Sequence, residues 1–305
     1  MRNATSVKER LKNYAKKNDR IVQDIFTVYV LERTLYRLSV SNYRDKFTLK
    51  GGILLYGLYT EDFTRATTDI DLLGARISNE ADNMKAVFTE VFSIECDDPI
   101  AFKLDSLQVS NITEFKEYHG LNVSILAFLD RTRIPVSIDI GFGDIIYPER
   151  VEMDYPTLLD DVPAKMYAYS LDSLIAEKFE AIVSLGEANG RLKDFYDICA
   201  ISKKQDFDGR TIQAALLETF RHRKTGFDKI AAFEAGFCED PVRASRWKGF
   251  LKQKNVLTPV EFEDAIKSIQ TFLSPVIDAI RKGNSFDKKW DHVEKVWKWM
   301  KDRSN

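Results

Sequence analysis

The feature that most constrains the fold is a pair of aspartates, Asp69 and Asp71, in a short run that alternates polar and apolar residues. That alternation predicts a β-strand over residues 68–73, with both carboxylates on one face and Ile70 pointing into the core. Two carboxylates held this close raise each other's pKa unless a cation lies between them. Mg²⁺ takes oxygen ligands and keeps substrate phosphates in its shell, so the pair suits this ion. Alone, the pair is weak evidence, because it also occurs at turns and in glycosyltransferases.

A glycine pair precedes these aspartates and separates a strand from a helix. The sequence predicts a short strand over Phe47–Lys50, a break at Gly51 and Gly52, and a helix that begins at Ile53. Glycine lets the backbone approach a triphosphate, and the N-terminus of a helix favours negative charge. The glycine pair and the acid pair together therefore favour phosphoryl or nucleotidyl transfer over a purely structural role.

A centre with two metal ions needs a third carboxylate on a neighbouring strand. Residues 134–141 predict such a strand, and Asp139 lies there between two isoleucines, where an unpaired charge would be costly. Asp144 is the other candidate, but it follows two glycines and is more typical of a turn. The sequence favours Asp139 as the third ligand.

A lysine lies within the apolar stripe of the helix predicted over residues 171–185. The Lys178 side chain either reaches out to water or meets an anion, which could be a triphosphate. In the second case, methionine at this position would weaken nucleotide binding and preserve, or even raise, the melting temperature. The next helix carries Asp194 and Asp197 on one face, with Lys193 able to pair with Asp197. The alternative for this group is a salt-bridge cluster on the surface.

Three separated blocks together resemble the nucleotidyltransferase toxins of the AbiEii/AbiGii type. They read KGG followed by RATTDIDL, then IDIGFGD, then AEKFEAIVSLGEANGRLKDFYDI, in this order between residues 47 and 201. These proteins are the toxin halves of bacterial toxin–antitoxin and phage-exclusion (abortive-infection) pairs, built on the DNA polymerase β-like nucleotidyltransferase fold. The resemblance implies Mg²⁺-dependent transfer of a nucleotide from NTP, with release of pyrophosphate. In the best-understood relatives the acceptor is the 3′ end of tRNA, which blocks translation, and a cognate antitoxin or repressor is expected as a partner.

The resemblance also implies which residues are catalytic and which bind metal or nucleotide. Together with Asp139, the resemblance implies five candidate catalytic residues: Asp69, Asp71, Asp139, Lys178 and Asp194. The three aspartates Asp69, Asp71 and Asp139 would hold two Mg²⁺ ions. The candidate nucleotide-binding residues are Lys50, Gly51, Gly52, Arg65, Thr68, Lys178, Arg191 and Lys193. The chain departs from the family at Ile53, where relatives often have serine or threonine.

The predicted fold class is α+β, a polymerase β-like core with a mixed sheet flanked by helices. Residues 1–45 are expected to form an N-terminal helical segment and residues 46–155 the nucleotidyltransferase core. Residues 165–305 are expected to form a mainly helical domain that completes the NTP site and binds the acceptor. Pro156 and Pro163 mark a linker before that domain.

The C-terminal part carries an excess of basic residues. From Arg243 onward there are 14 Lys and Arg against 8 Asp and Glu, a local charge of +6, whereas the preceding residues carry −8. Such a split is compatible with a polyanion such as RNA as partner. The basic residues are interleaved with Trp247, Trp290, Trp297 and Trp299. The alternative is a solvated helical surface over a tryptophan core.

The remaining composition excludes several classes of protein. Three widely spaced cysteines do not fit a disulfide framework or a structural zinc site. The N-terminus is polar and no apolar stretch approaches the ~20 residues of a spanning helix, so we expect a cytoplasmic protein. Two rival functions stay open. One is a kinase-like or antibiotic-modifying transferase acting on a protein or small-molecule hydroxyl, and the other is a catalytically silent module that binds nucleotide or a partner.

Overall fold

A computed structural model of the chain describes residues 3–59, 65–112, 120–256 and 258–300. The chain forms two compact units. The first consists of Met1–Asp144 and Arg150–Ala168, and the second of Ile145–Glu149 and Tyr169–Asn305. Within the described ranges, every helix is too short or too polar to cross a membrane.

The first unit is built on one mixed sheet with helices. Its helices are α1 (Ala4–Lys17), α2 (Val22–Ser39), α3 (Gly51–Tyr59) and α4 (Ala81–Ser93). Its strands are β1 (Phe47–Lys50), β2 (Ile70–Gly74), β3 (Ile100–Ile112), β4 (Gly120–Leu129), β5 (Thr132–Phe142), β6 (Val151–Tyr155) and β7 (Ala164–Ala168). The strand order is β3-β4-β5-β2-β1-β7-β6. The β2–β5 and β1–β7 pairs are parallel and the other pairs are antiparallel, so the predicted α+β class with a mixed sheet is confirmed.

Helix α2 packs into this unit with a charged cluster that is almost completely buried. Arg37 donates two hydrogen bonds to Asp98, at 2.8 and 2.9 Å, and Arg33 donates a third at 3.3 Å. These ion pairs compensate the buried charges, although Nε of Arg37 has no hydrogen-bond partner among the described residues. Glu32 has a different environment, because burial outweighs the neighbouring Arg33 and raises its pKa to about 8.

The segment interpreted from the sequence as a linker, residues 156–163, connects β6 to β7 inside the first unit. It is fastened to α2 at two points. The N–H of Leu158 donates to the Glu32 carboxylate at 2.8 Å, and the carbonyl of Val162 accepts from Arg33 at 3.1 Å. The first unit therefore extends to Ala168, past the expected boundary at residue 155.

The second unit is mainly helical. Its helices are α5 (Leu171–Leu185), α6 (Leu192–Ser202), α7 (Gly209–His222), α8 (Pro241–Gln253) and α9 (Phe262–Arg281). Three short strands, β8 (Phe207–Asp208), β9 (Lys288–Asp291) and β10 (Val296–Trp299), form a sheet in the order β10-β9-β8. Trp247 and Trp290 are buried, and Trp297 stacks on Phe272 with ring centroids 5.7 Å apart. Trp297 is half-buried and Trp299 is 73% exposed, so Trp247 and Trp290 are the two core tryptophans.

The β9–β10 hairpin is an element that the sequence did not predict within the mainly helical C-terminal domain. Its turn lacks glycine and proline. Instead, the Asp291 carboxylate accepts hydrogen bonds from the N–H groups of Val293 and Glu294, and Lys295 adopts a left-handed conformation at φ 58°. Glycine or asparagine usually takes that conformation, so a lysine at this position gives no sequence signal for a turn.

Candidate active site

The three candidate metal ligands converge at the centre of the first unit's sheet. Asp71 on β2 and Asp139 on β5 are direct register partners, and Asp69 lies one residue before β2. One carboxylate oxygen from each aspartate lies within 4.8 Å of the others, and all three residues are half-buried. Three carboxylates at this separation repel one another, whereas a divalent cation between them would turn that repulsion into attraction. The all-oxygen donor set therefore fits Mg²⁺.

The glycine pair forms the first turn of α3, which begins at Gly51 rather than at the expected Ile53. Gly51 has φ +70°, and a Cβ there would collide with the Asp71 carboxylate. A Cβ on Gly52 would lie 2.8 Å from Nη2 of Arg65. The missing side chains thus allow a helix N-terminus, with its unsatisfied N–H groups, to lie directly against the acid cluster.

Replacement of Gly51 by alanine tests how closely this turn supports the cluster. We expect a loss of about 1–2 kcal/mol in unfolding free energy from the left-handed backbone alone. Displacement of Asp71 should add a loss of Mn²⁺ affinity, measured by titration of the purified protein. Gly249 on α8 is an exposed glycine with open space around it, so alanine there is the matched control. Unchanged Mn²⁺ affinity in the Gly51→Ala protein would contradict the contact with Asp71.

Arg65 is 3% exposed, and its guanidinium lies beside Gly52. Next to it, the hydroxyl of Thr67 is buried and has no hydrogen-bond partner among the described residues. The sequence did not indicate Thr67. The candidate that it indicated is the neighbouring Thr68, which is exposed. The structure therefore places one guanidinium and one buried hydroxyl against the first turn of α3.

Lys50, at the end of β1, forms an ion pair with Asp144. Its Nζ lies 2.9 Å from Oδ2 of Asp144, and both side chains are largely buried. Asp144 thus pairs with a lysine. The sequence suggested only that Asp144 lies in a turn and did not indicate this pairing. Asp139, and not Asp144, belongs to the acid cluster.

The second unit holds the remaining candidates in a buried ion-pair cluster. Nζ of Lys178, on α5, lies 2.9 Å from Asp194 and 2.8 Å from Asp197, both on α6. Arg191 also donates to Asp194 at 2.7 Å. Burial opposes ionisation of Asp194, but Lys178 and Arg191 outweigh it and hold its pKa well below the usual range.

This geometry distinguishes between the alternatives that the sequence left open for the cluster. Lys178 is only 7% exposed and does not reach out to water, while Asp194 and Asp197 are fully buried, so the cluster is not on the surface. Asp197 binds Lys178 on the neighbouring helix in place of the expected pairing with Lys193. Lys193 itself is half-buried on α6.

Asn122 on β4 is a site residue that the sequence analysis missed. Its Nδ2 donates to Asp139 at 2.6 Å and to Ser137 at 2.8 Å. The signal was present, since β4 and β5 are joined by a two-residue turn, and counting outward from that turn pairs Asn122 with Asp139.

Comparison with known proteins identifies the family. The model of the nucleotidyl transferase AbiEii toxin family, a type IV toxin–antitoxin system, matches residues 33–288. A candidate nucleotidyltransferase from H. pylori has a similar fold, with TM-score 0.51 and 14% identity over 86% of this chain and 98% of its own. The protein JHP933 from Helicobacter pylori is also similar, with TM-score 0.50 and 14% identity over 86% of this chain and 94% of its own. Among curated proteins, none matches this chain. The family match covers more than half of the chain, which therefore belongs to the AbiEii family of nucleotidyltransferase toxins.

Proposed function

We propose that this toxin transfers a nucleotide from an NTP to RNA, with the 3′ end of tRNA as the acceptor, and so blocks translation. The convergence of Asp69, Asp71 and Asp139 carries this proposal, because nucleotidyl transfer needs charge compensation at both the attacking and the leaving oxygen. Two Mg²⁺ ions bound there would supply that compensation and favour ionisation of the acceptor hydroxyl. The family implies the NTP substrate and supports a cognate antitoxin as partner. We place the reaction in the cytoplasm, where NTP and tRNA are found.

The other candidate residues are assigned to the triphosphate. The first turn of α3, with Gly51 and Gly52, presents backbone N–H groups of the kind that bind phosphate. Arg65 and Lys50 add positive charge in the same unit. Thr68, in the segment before β2, is proposed to contact the triphosphate as well. In the second unit, Arg191 and Lys193 are proposed as phosphate-binding residues, whereas Lys178 is engaged by Asp194 and Asp197 and is proposed to hold α5 against α6.

A labelling experiment tests the class of acceptor. The purified toxin is incubated with each α-labelled NTP and a mixture of total RNA and total protein, followed by ribonuclease or protease. We expect the label in an RNA of tRNA size that ribonuclease destroys. Label that survives ribonuclease but not protease would show a protein acceptor, and would contradict the proposal.

Helix α8 is the best-supported surface for RNA. Arg246, Lys248 and Lys252 are exposed along it, whereas Arg243 is held by Glu187 at 2.9 Å and Lys254 is half-buried. Exposed lysines and arginines bind phosphates with release of counterions, so affinity falls with salt. The three exposed residues are therefore called the α8 cations, and they lie on either side of the buried Trp247.

Reversal of the α8 cations, Arg246, Lys248 and Lys252, to glutamate should weaken RNA binding. Each lost phosphate contact should lower the slope of log affinity against log salt by about 0.7. The matched control reverses the exposed Lys16, Lys17 and Lys85 of the first unit, which changes net charge equally. Affinity is measured by filter binding from low to high salt. Equal loss in both triple variants would assign the effect to net charge and contradict an α8 contact.

A further inference from the structure

A row of four polar side chains crosses the middle of the first unit's sheet. The register pairs Lys50 with Asp71, Asp71 with Asp139, and Asp139 with Asn122 on four adjacent strands. Directly paired residues project from the same face of a sheet, so all four side chains lie on one face. The two carboxylates occupy the centre of the row, with an ammonium at one end and an amide at the other.

The amide of Asn122 has one permitted orientation. A carboxylate oxygen only accepts hydrogen bonds, so the atom of Asn122 that lies 2.6 Å from Oδ1 of Asp139 is the amide nitrogen. The second hydrogen of that nitrogen is directed to Oγ of Ser137, at 2.8 Å. Ser137 and Asp139 lie two residues apart on one face of β5. Both donor positions of the amide are therefore used, and the amide is fixed between them.

This arrangement has consequences for Asp139. A neutral donor stabilises the ionised carboxylate without adding a cation that would compete with a metal. One oxygen of Asp139 accepts the bond, which restricts rotation of the carboxylate. A carboxylate that binds metal is ordinarily oriented by such a hydrogen bond, and loss of the partner weakens metal binding.

We propose that Asn122 is a positioning residue that orients Asp139 for binding a divalent cation. This inference rests on the proposed function, because it takes Asp139 as a metal ligand. Asn122 acts through Asp139 and has no direct part in the chemistry. Ser137 supports it by accepting the second hydrogen bond of the same amide.

The test measures Mn²⁺ affinity of the full chain by electron paramagnetic resonance, in the absence of nucleotide. We expect Asn122→Ala to raise the Mn²⁺ dissociation constant at least about tenfold. Asn122→His keeps a donor nitrogen at the δ position and should restore most of the affinity at pH 7.5. Asn111→Ala, on the neighbouring strand, should bind Mn²⁺ like the parent. Asn111 is exposed, and it neighbours Ser110, the register partner of Asn122, so it projects from the opposite face.

A stability measurement and the Asp71→Asn variant separate the possible outcomes. Unfolding free energies of all variants are measured in urea, and the Mn²⁺ comparison uses conditions in which each variant is folded. Suppose that Asn122→Ala and Asn122→His both bind Mn²⁺ with the affinity of the parent, while Asp71→Asn no longer binds it. The positioning role of Asn122 is then overturned, whereas the metal site itself is retained. If neither the parent nor any variant binds Mn²⁺, the metal site of the proposed function fails and the role of Asn122 fails with it.

Discussion

Replacement of Asp71 by alanine should abolish nucleotide transfer and toxicity while leaving the chain folded. Asp71 lies between Asp139 and Lys50 in the sheet register and supplies one of the three clustered carboxylates. Metal-assisted charge stabilisation contributes several kcal/mol, which corresponds to a rate loss of about a thousandfold or more. Removal of one carboxylate also relieves repulsion within the cluster, so the melting temperature should be unchanged or higher.

The measurement is the initial rate of incorporation of α-labelled NTP, together with growth of cells that express the variant. Asp154→Ala is the matched control, because Asp154 is an exposed aspartate on β6 of the same sheet. It should transfer nucleotide like the parent. If a folded Asp71→Ala protein transfers nucleotide at the parent rate, the aspartate cluster is not required for the reaction.

Replacement of Lys178 by methionine should destabilise the chain by about 3–5 kcal/mol. The change leaves Asp194 and Asp197 fully buried without the ammonium between them, while the Arg191 guanidinium stays 2.7 Å from Asp194. The sequence alone predicted a preserved melting temperature, because it could not show that the anions beside Lys178 are carboxylates of the chain itself. The structure reverses that expectation.

Unfolding in urea at pH 7 measures the effect, and Lys248→Met on the exposed face of α8 is the control. The double variant Lys178→Met with Asp197→Asn removes one cation and one anion, and should recover part of the lost stability. Since the pKa of Asp194 is lowered in the folded chain, its contribution is present above its ordinary pKa and is lost as the pH falls below it. The difference between parent and Lys178→Met should therefore shrink in acid. Equal stability of parent and variant at pH 7 would contradict the ion-pair cluster.

The central strands could be predicted from the sequence because their patterns are local. Alternation placed Asp69 and Asp71 on a strand, and the apolar neighbours of Asp139 predicted another strand that would bring a carboxylate beside them. Both strands are present and are parallel neighbours, but β2 begins at Ile70, so Asp69 lies just before the strand and not on it. A period of two residues within a short run is sufficient to predict which face a side chain occupies.

The contacts that were not predicted connect residues that are distant in the sequence. Lys50 and Asp144 meet across 94 residues, and Lys178 meets Asp194 on another helix. The periodicity of α5 placed Lys178 on the buried face, but only the packing of α6 shows which anions it meets. Asn122 was missed for a different reason, because its role depends on the register of β4 against β5 and not on any pattern within β4.

Parallel reactions with α-labelled and γ-labelled NTP test the central claim most directly. Nucleotidyl transfer leaves the α-phosphate on the acceptor and releases the γ-phosphate in pyrophosphate. A kinase-like reaction instead transfers the γ-phosphate to the acceptor and leaves the α-phosphate in the nucleoside diphosphate. We expect RNA to become labelled from the α-labelled NTP alone and pyrophosphate to carry the γ label, and we expect neither product with Asp71→Ala. Acceptor labelled from the γ-phosphate, or no transfer from either NTP by the folded parent protein, would contradict the central claim.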